Sequence, residues 1–186
     1  TVFVGAASYD NGGNVSVFNK DDGENVNTWS LTQVINPDDL DGNDKFGCSI
    51  LKNGNQLIIG ADKKGSQSVK AGCAYIYEKN NTTGLWGLKQ KIYADVPEVD
   101  DRFGCSLGID GNQLVVGAIG DHGGGAVYFF EQNADNEWMC VDGKNGNLRM
   151  KGTLSFHPAT RKFIDLPGTG FEIGINPDAS QYFRAD

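Results

Sequence analysis

Residues 46–61 read Phe-Gly-Cys-Ser-Ile-Leu-Lys-Asn-Gly-Asn-Gln-Leu-Ile-Ile-Gly-Ala, and residues 103–118 repeat this pattern as Phe-Gly-Cys-Ser-Leu-Gly-Ile-Asp-Gly-Asn-Gln-Leu-Val-Val-Gly-Ala. The two copies lie 57 residues apart and align without gaps. Self-similarity at a fixed period of this length is typical of proteins built from stacked supersecondary units. The stretch therefore predicts a repeat architecture rather than one irregular globule.

Other landmarks keep step with these two copies. An apolar run that ends in Gly-Ala occurs a third time, at residues 2–6. A segment that begins with glycine and alternates in the manner of a strand recurs at 13–18, 72–77 and 125–130. The three tryptophans of the chain, Trp29, Trp86 and Trp138, follow these segments at equivalent places. Three landmarks in register extend the repeat over most of the chain.

Each copy reads as four short strands. Asn53-Gly54 and Asp110-Gly111 are hairpin signals, because these residue types tolerate positive φ. The strands are predicted at 46–51, 56–60, 73–78 and 86–92, and again at 103–108, 113–118, 126–131 and 137–141. One such sheet cannot cover both of its own faces, whereas repetition around an axis can. The fold class is therefore predicted as all-β, with four-stranded blades of the β-propeller type, and the phenylalanines and tryptophans of the repeats as core residues.

The domain organisation follows from these boundaries. Residues 1–45 are predicted as a partial blade, 46–102 and 103–141 as full blades, and 142–186 as a divergent β-rich tail. The partial blade begins at its second strand. One hypothesis is that a strand near residues 170–175 supplies the missing first strand, within the molecule or in a neighbour, which would build a filament. The plainer alternative is that the chain is part of a larger propeller protein.

Bulk composition limits the classes of partner. The formal net charge is −8 and the pI is near 4.7, and no basic patch is present, so nucleic acid is not an expected partner. No run of 18 apolar residues occurs, so no membrane-spanning helix is expected. No signal peptide is visible at Thr1, and the chain reads as a mature product or an excerpt of something longer.

Cysteines and sequons indicate the compartment. The four cysteines, Cys48, Cys73, Cys105 and Cys140, include no Cys-x-x-Cys pair and are disulfide candidates with three pairings open. Asn14, Asn80 and Asn81 each begin an Asn-x-Ser/Thr glycosylation signal. An even cysteine count together with sequons in polar loops favours an extracellular or cell-surface location.

At these residues the chain resembles the FG-GAP repeat family, whose blades form the propeller head of integrin α subunits. Phe46-Gly47 pairs with Gly60-Ala61 and the segment 74–77, and Phe103-Gly104 pairs with Gly117-Ala118 and the segment 125–130. The resemblance covers about residues 1–141 and implies a β-propeller with a role in adhesion or in an extracellular structure.

The chain departs from the family pattern at the metal sites. Family blades often carry a calcium loop between their first two strands, but here that connection is a tight turn, so calcium there is not implied. A separate acidic cluster precedes the first Phe-Gly element, and its carboxylates could hold Ca²⁺: Asp38, Asp39, Asp41 and Asp44. The alternative is a solvated acidic loop, and no other cofactor is expected.

The residues suggest no catalytic constellation. The chain contains no nucleophile elbow, phosphate loop or His-Glu-x-x-His motif. Asp121-His122 would be half of a catalytic site, but no motif places a nucleophile beside it. We therefore expect a non-enzymatic extracellular structural or adhesion protein that binds a protein or glycan on a surface, or copies of itself. The alternatives are a lectin-like carbohydrate-binding module and an enzyme dependent on His122.

Overall fold

The computed structural model describes residues 1–8, 12–21, 23, 27–65, 70–142, 164–165, 171–175 and 181–185. Residues 1–151 and 152–186 form two separate compact units. Within the described residues of the first unit, all regular elements are strands apart from one short 3₁₀ helix, η1 (Asp121–Gly123).

The first unit contains three antiparallel sheets, in which each strand pairs with its neighbour in the chain. Sheet 1 comprises β1 (Val2–Ala6), β2 (Asn14–Lys20) and β3 (Trp29–Ile35). Sheet 2 comprises β4 (Phe46–Asn53), β5 (Gln56–Ala61), β6 (Cys73–Lys79) and β7 (Trp86–Ile92). Sheet 3 comprises β8 (Phe103–Asp110), β9 (Gln113–Ala118), β10 (Ala126–Gln132) and β11 (Trp138–Asp142). The predicted all-β fold with four-stranded blades is confirmed, while the exact boundaries of its domains stay predictions.

Sheet 2 is covered on both of its faces, and its sequence shows why. Strands β5 and β6 are nearly continuous apolar runs, as expected where neither face meets water. Leu57 and Tyr75 belong to a core cluster with Val15 and Val17 of sheet 1. Ile58 and its neighbours on the opposite face belong to a second cluster with residues of sheet 3. Each sheet thus shields the flank of the next.

The Phe-Gly element makes the closest contact between sheets. The pairing of β4 with β5 shifts register between Phe46 and Ser49, and Gly47 has a φ of +90°, a region that favours glycine. In sheet 3, Gly104 has a φ of +89°. Its carbonyl oxygen would lie 2.0 Å from a Cβ placed on Gly60, so only glycine fits there. The recurring Phe-Gly and Gly-Ala pairs are therefore two halves of one backbone contact.

The hairpin turns differ from the prediction by one residue. The central turn residues are Gly54-Asn55 and Gly111-Asn112, because Asn53 pairs with Gln56 as the last residue of its strand. Only the glycines, at φ values of +54° and +57°, take up the positive-φ conformation. Glycine at the first central position is the requirement of a type II′ hairpin turn. The turns were thus expected in the right places, but Asn53 plays a different part in them.

The tryptophans are not equivalent in burial. Trp86 and Trp138 are 4% and 3% exposed, as expected for core residues, but Trp29 is 47% exposed. The prediction of a buried tryptophan is wrong for Trp29. Trp86 packs edge-on against Phe3 of the preceding sheet, whereas no ring contact of this kind is found at Trp29 among the described residues.

The second unit contains β12 (Ile164–Asp165), β13 (Phe171–Ile175) and β14 (Gln181–Ala185) in one antiparallel sheet. Strand β13 is its central strand and pairs with β12 on one side and β14 on the other. These pairings lie within the second unit, and the hypothesis that a strand near residues 170–175 completes the partial blade, within the molecule or in a neighbour, stays a prediction.

Candidate functional site

A groove runs between the outer parts of sheets 1 and 2. It has a volume of about 430 Å³ and lies where the end of β3 faces β6 and β7. Val34 and Leu88 give it an exposed apolar lining, and Asp38, Asp39 and Lys91 give it a charged side. Strands β3, β6 and β7 and the loop that follows β3 therefore contribute to one concave surface, which is the usual setting of a binding site.

A glutamine holds the two walls of the groove together. Gln33 Nε2 donates to the Trp86 carbonyl at 2.8 Å, and the Trp86 backbone N–H donates to Gln33 Oε1 at 2.8 Å. Gln90 makes the same two hydrogen bonds with the backbone of Trp138, each at 2.9 Å. The contact thus recurs between consecutive sheets and keeps the groove walls at a fixed separation.

The glutamine clamp was not predicted from the sequence, although a signal for it exists. Gln33 and Gln90 each lie four residues after a tryptophan, and the third tryptophan is followed at that distance by Asp142. A recurring Trp-x-x-x-Gln pattern could have been found as a fourth landmark. The role of this pattern could not have been predicted, because each glutamine bonds to backbone groups about 50 residues further along the chain.

Replacing Gln90 with alanine removes both hydrogen bonds and leaves two backbone groups of Trp138 without their partner. We expect the free energy of unfolding to fall by about 1–3 kcal/mol. Urea unfolding followed by tryptophan fluorescence measures the loss. Gln113→Ala is the control, since this exposed side chain bonds only to Glu131 on the surface, and its effect should stay within about 0.5 kcal/mol. Equal effects would show that the clamp contributes nothing.

Asp39 is the centre of the charged side of the groove. Its carboxylate accepts a hydrogen bond from Lys91 Nζ at 2.7 Å and from the Tyr75 hydroxyl at 3.2 Å, and Lys64 Nζ lies 3.7 Å away. Partial burial alone would raise the pKa of this carboxyl, but Lys91 and Lys64 outweigh burial and lower the pKa. Asp39 is therefore ionised near neutral pH and belongs to a paired network rather than to a lone negative patch.

The predicted calcium ligands do not fit a calcium ion. Asp44 is fully buried, and its Oδ2 accepts hydrogen bonds from the Asp41 backbone N–H at 2.7 Å and from Lys64 Nζ at 3.0 Å. Lysine ammonium groups thus stand beside Asp39 and Asp44, where a cation would have to bind. Within the described ranges no three His, Cys, Asp or Glu side chains come together as metal ligands. The calcium expectation for Asp38, Asp39, Asp41 and Asp44 is not supported.

Asp44 instead stabilises the loop before the Phe-Gly element. In the next repeat Asp101, also buried, accepts a hydrogen bond from the Glu98 backbone N–H at 2.7 Å, as Asp44 does from Asp41. Both loops therefore use a buried carboxylate to satisfy a backbone donor three residues earlier. At this position in both repeats, the acidic residue stabilises the loop in which it lies.

The cysteines lie at two kinds of position. Cys48 and Cys105 occupy the same place in β4 and β8, where Cys48 is exposed and Cys105 is half-buried. Cys73 is buried in β6, and burial raises the pKa of its thiol to about 12. Cys140 is half-buried in β11. No disulfide joins Cys48, Cys73 and Cys105 in the structure.

The sequons differ in accessibility. Asn80 and Asn81 are exposed in the turn between β6 and β7, where Asn80 Oδ1 accepts hydrogen bonds from the backbone N–H groups of Thr82 and Thr83. Asn14 is half-buried in β2 and pairs with Ala6 of β1. The turn is the better site for a glycan, and glycosylation at all three asparagines stays a prediction.

Asp121 has a structural partner. It is buried on η1, and its Oδ2 accepts a hydrogen bond from the Tyr128 hydroxyl at 2.6 Å. Burial raises the pKa of the Tyr128 hydroxyl, and this hydrogen bond to Asp121 raises it further. Asp121 thus anchors the glycine-rich loop to β10, and this role is independent of any chemistry at His122.

No helix in the described part of the chain has both the length and the apolar content needed to cross a bilayer.

Comparisons with known proteins complete the description. A family model described as FG-GAP repeat matches residues 29–77 and 86–130, which is just over half of the chain. Each matched segment starts at the tryptophan of one sheet and ends in the third strand of the next. Among solved structures, the chain is similar to a candidate 6-phosphogluconolactonase from Bacteroides fragilis NCTC 9343, with 14% identity and a TM-score of 0.47. That match covers 98% of this chain and 51% of the other, so this chain spans about half its length. A search of curated proteins finds no match.

Proposed function

Because this chain belongs to the FG-GAP repeat family, we propose that it is a non-enzymatic adhesion or structural protein of the extracellular space. In this role the stacked sheets are a rigid scaffold, and the groove between sheets 1 and 2 binds a surface of another protein. Fold alone does not define a function, so the proposal rests on the chemistry of the groove.

The observation that carries the proposal is the composition of the groove. Val34 and Leu88 are about half exposed there, next to the ion pair of Asp39 with Lys91. Exposed apolar side chains beside charges of both signs suit a protein partner, which offers the same mixture. The glutamine clamp holds these groups in place before binding, so little conformational entropy is lost when the partner docks.

The glycan-binding alternative receives less support from the same groove. Sugars are usually held by stacking on an open aromatic ring, and the two rings that line the groove are those of Tyr77 and Trp86. Both are at least 95% covered by the protein, so neither offers a free ring face. The groove therefore favours a polypeptide over a carbohydrate.

The outer faces of the sheets support assembly into a larger propeller. On sheet 1, Val2 and Val4 are exposed, whereas Leu57 and Ile59, at the same repeat positions in sheet 2, are fully buried. On the opposite side of sheet 3, Val127 and Phe129 are exposed where sheet 2 has buried apolar residues. Each of these exposed faces carries apolar residues at repeat positions that are buried between sheets elsewhere in the molecule. Further sheets of the same kind could therefore pack against them.

A binding experiment tests the proposal. The fluorescently labelled chain is applied to an immobilised panel of purified extracellular-matrix proteins and to a glycan array. We expect retention on one or more of the proteins and none on the glycans. Leu88→Asp, which places a charge in the groove, should reduce this retention at least tenfold.

The matched control is Leu31→Asp. Leu31 holds the same position after Trp29 that Leu88 holds after Trp86 and is also about half exposed, but it does not line the groove. It should leave binding unchanged. Equal losses in both variants, or retention on glycans that Leu88→Asp abolishes, would contradict the proposal.

A further inference from the structure

Cys48 and Cys105 come close together at the contact between β4 and β8. The Ser49 hydroxyl donates a hydrogen bond to the Gly104 carbonyl at 2.6 Å, and Gly60 packs against the same oxygen. The Cys48 thiol also points at this carbonyl, with Sγ 3.7 Å from the oxygen. Since Gly104 is bonded directly to Cys105, the two cysteines flank a single backbone contact.

The surroundings of the two thiols agree with this proximity. Desolvation by the surrounding protein atoms raises the pKa of the Cys48 thiol, the charges of Asp62 and Cys105 raise it further, and hydrogen bonds with the Asp62 backbone and Ser49 oppose the rise. The Arg102 guanidinium donates a hydrogen bond to Asp62 at 2.7 Å. Asp62 raises the pKa of Arg102, and the charges of Cys105 and Cys48 add smaller increases in the same direction. Cys48 is exposed and Cys105 half-buried, so a small oxidant in solvent can reach the pair.

In the reduced protein each thiol has a carbonyl partner. Cys48 donates to Gly104, and the Cys105 thiol donates to the Gly117 carbonyl at 3.3 Å. A bridge therefore requires Cys105 to rotate away from Gly117 toward Cys48. The backbone at Gly104 is closely packed against Gly60 and Cys73, so this adjustment falls on the cysteine side chains.

We propose that Cys48 and Cys105 form a disulfide when the protein meets a small-molecule disulfide such as oxidised glutathione. The Cys48 thiolate attacks one sulfur of glutathione disulfide and releases one glutathione thiolate. The Cys105 thiolate then attacks the Cys48 sulfur of the mixed disulfide and releases the second glutathione. The two cysteines lose two protons and two electrons, and glutathione disulfide is reduced to two molecules of glutathione.

The bridge would join β4 of sheet 2 to β8 of sheet 3. It closes a loop of more than fifty residues, and a cross-link over that span stabilises a fold mainly by restricting the unfolded chain. The pair thus makes the packing of the two repeats sensitive to the redox state of the compartment. This inference is independent of the proposed adhesive function, since it concerns the covalent state of the scaffold.

Peptide mapping of the full chain tests the pairing. The reduced protein is incubated with glutathione disulfide, blocked with an alkylating agent and digested without reduction. Trypsin leaves Cys105 and Cys140 together in residues 103–144, so a second protease that cleaves at Asp and Glu must separate them. We expect one cross-linked species that contains Cys48 and Cys105 and has lost two hydrogen atoms, with Cys73 and Cys140 alkylated.

Two variants provide the controls. Cys105→Ser should yield Cys48 carrying glutathione and no internal cross-link. The wild-type chain should melt at a higher temperature after oxidation and return to its former midpoint when dithiothreitol is added, whereas the midpoint of Cys48→Ser should not respond. A bridge from Cys48 to any other cysteine, a dimer linked between chains, or glutathione adducts on both residues without a cross-link would overturn the proposal.

Discussion

Replacing Gly60 with alanine is expected to lower the free energy of unfolding by about 3 kcal/mol. A Cβ at this position would lie 2.0 Å from the Gly104 carbonyl oxygen and 2.2 Å from Ser49 Oγ. The carbonyl belongs to the backbone of the adjacent sheet, so it cannot move aside without shifting β8. Urea unfolding followed by far-UV circular dichroism measures the loss.

Two other glycines make this prediction specific. Gly108→Ala is the same chemical change within a strand, but no atom lies within 4 Å of the added Cβ, and the effect should stay within about 0.5 kcal/mol. Gly117→Ala should give an intermediate loss, since the nearest atom is the Ser106 hydroxyl, which can rotate away. Equal losses at Gly60 and Gly108 would mean that the close contact between sheets does not exist in solution.

Replacing Phe103 with alanine should cost about 3–5 kcal/mol of stability. Its side chain is fully buried and meets the rings of Tyr128 and Phe130 edge-on, with centroid distances of 5.3 and 6.0 Å. It lies in the cluster that joins sheets 2 and 3, so its removal leaves a cavity between two repeats. The free energy of unfolding in urea reports the change.

Phe129→Ala is the matched control, because this ring is in the same sheet and is 45% exposed. It should cost no more than about 1 kcal/mol, since little apolar surface is removed from the interior. If Phe129→Ala were as damaging as Phe103→Ala, the face of sheet 3 that carries it would be covered in solution. If Phe103→Ala were mild, the phenylalanine of the repeat would not be the core residue that its burial indicates.

Much of the fold could be predicted from the sequence, because the signals for strands and turns lie within a few residues. The strands at 56–60 and 113–118 were expected to within one residue, since a glycine turn and the short apolar run that follows it are signals within a few residues. The burial of Phe46 and Phe103 also followed from the repeat. Trp29 shows the limit of this reasoning, because it holds the same repeat position as Trp86 and Trp138 but is 47% exposed.

Much less of the candidate site could be predicted from the sequence. The carboxylates of Asp39 and Asp44 were expected to bind calcium, but Lys64 and Lys91 reach them from 20 and 52 residues further along the chain. The glutamine clamps and the approach of Cys48 to Gly104 likewise join distant segments. The two partners of each contact are too far apart in the chain for a local sequence pattern to link them.

The sequence by itself determined the order and approximate bounds of the strands in the repeats, the places of their hairpins, and most of the residues that had to be glycine or apolar. These depend on backbone preferences and on the alternation of side chains within a few residues. Only the tertiary structure decided which carboxylates meet lysines, which carbonyl each thiol of β4 and β8 contacts and where a groove remains open. Those outcomes depend on how one sheet is set against the next, and packing between sheets is a property of the folded chain.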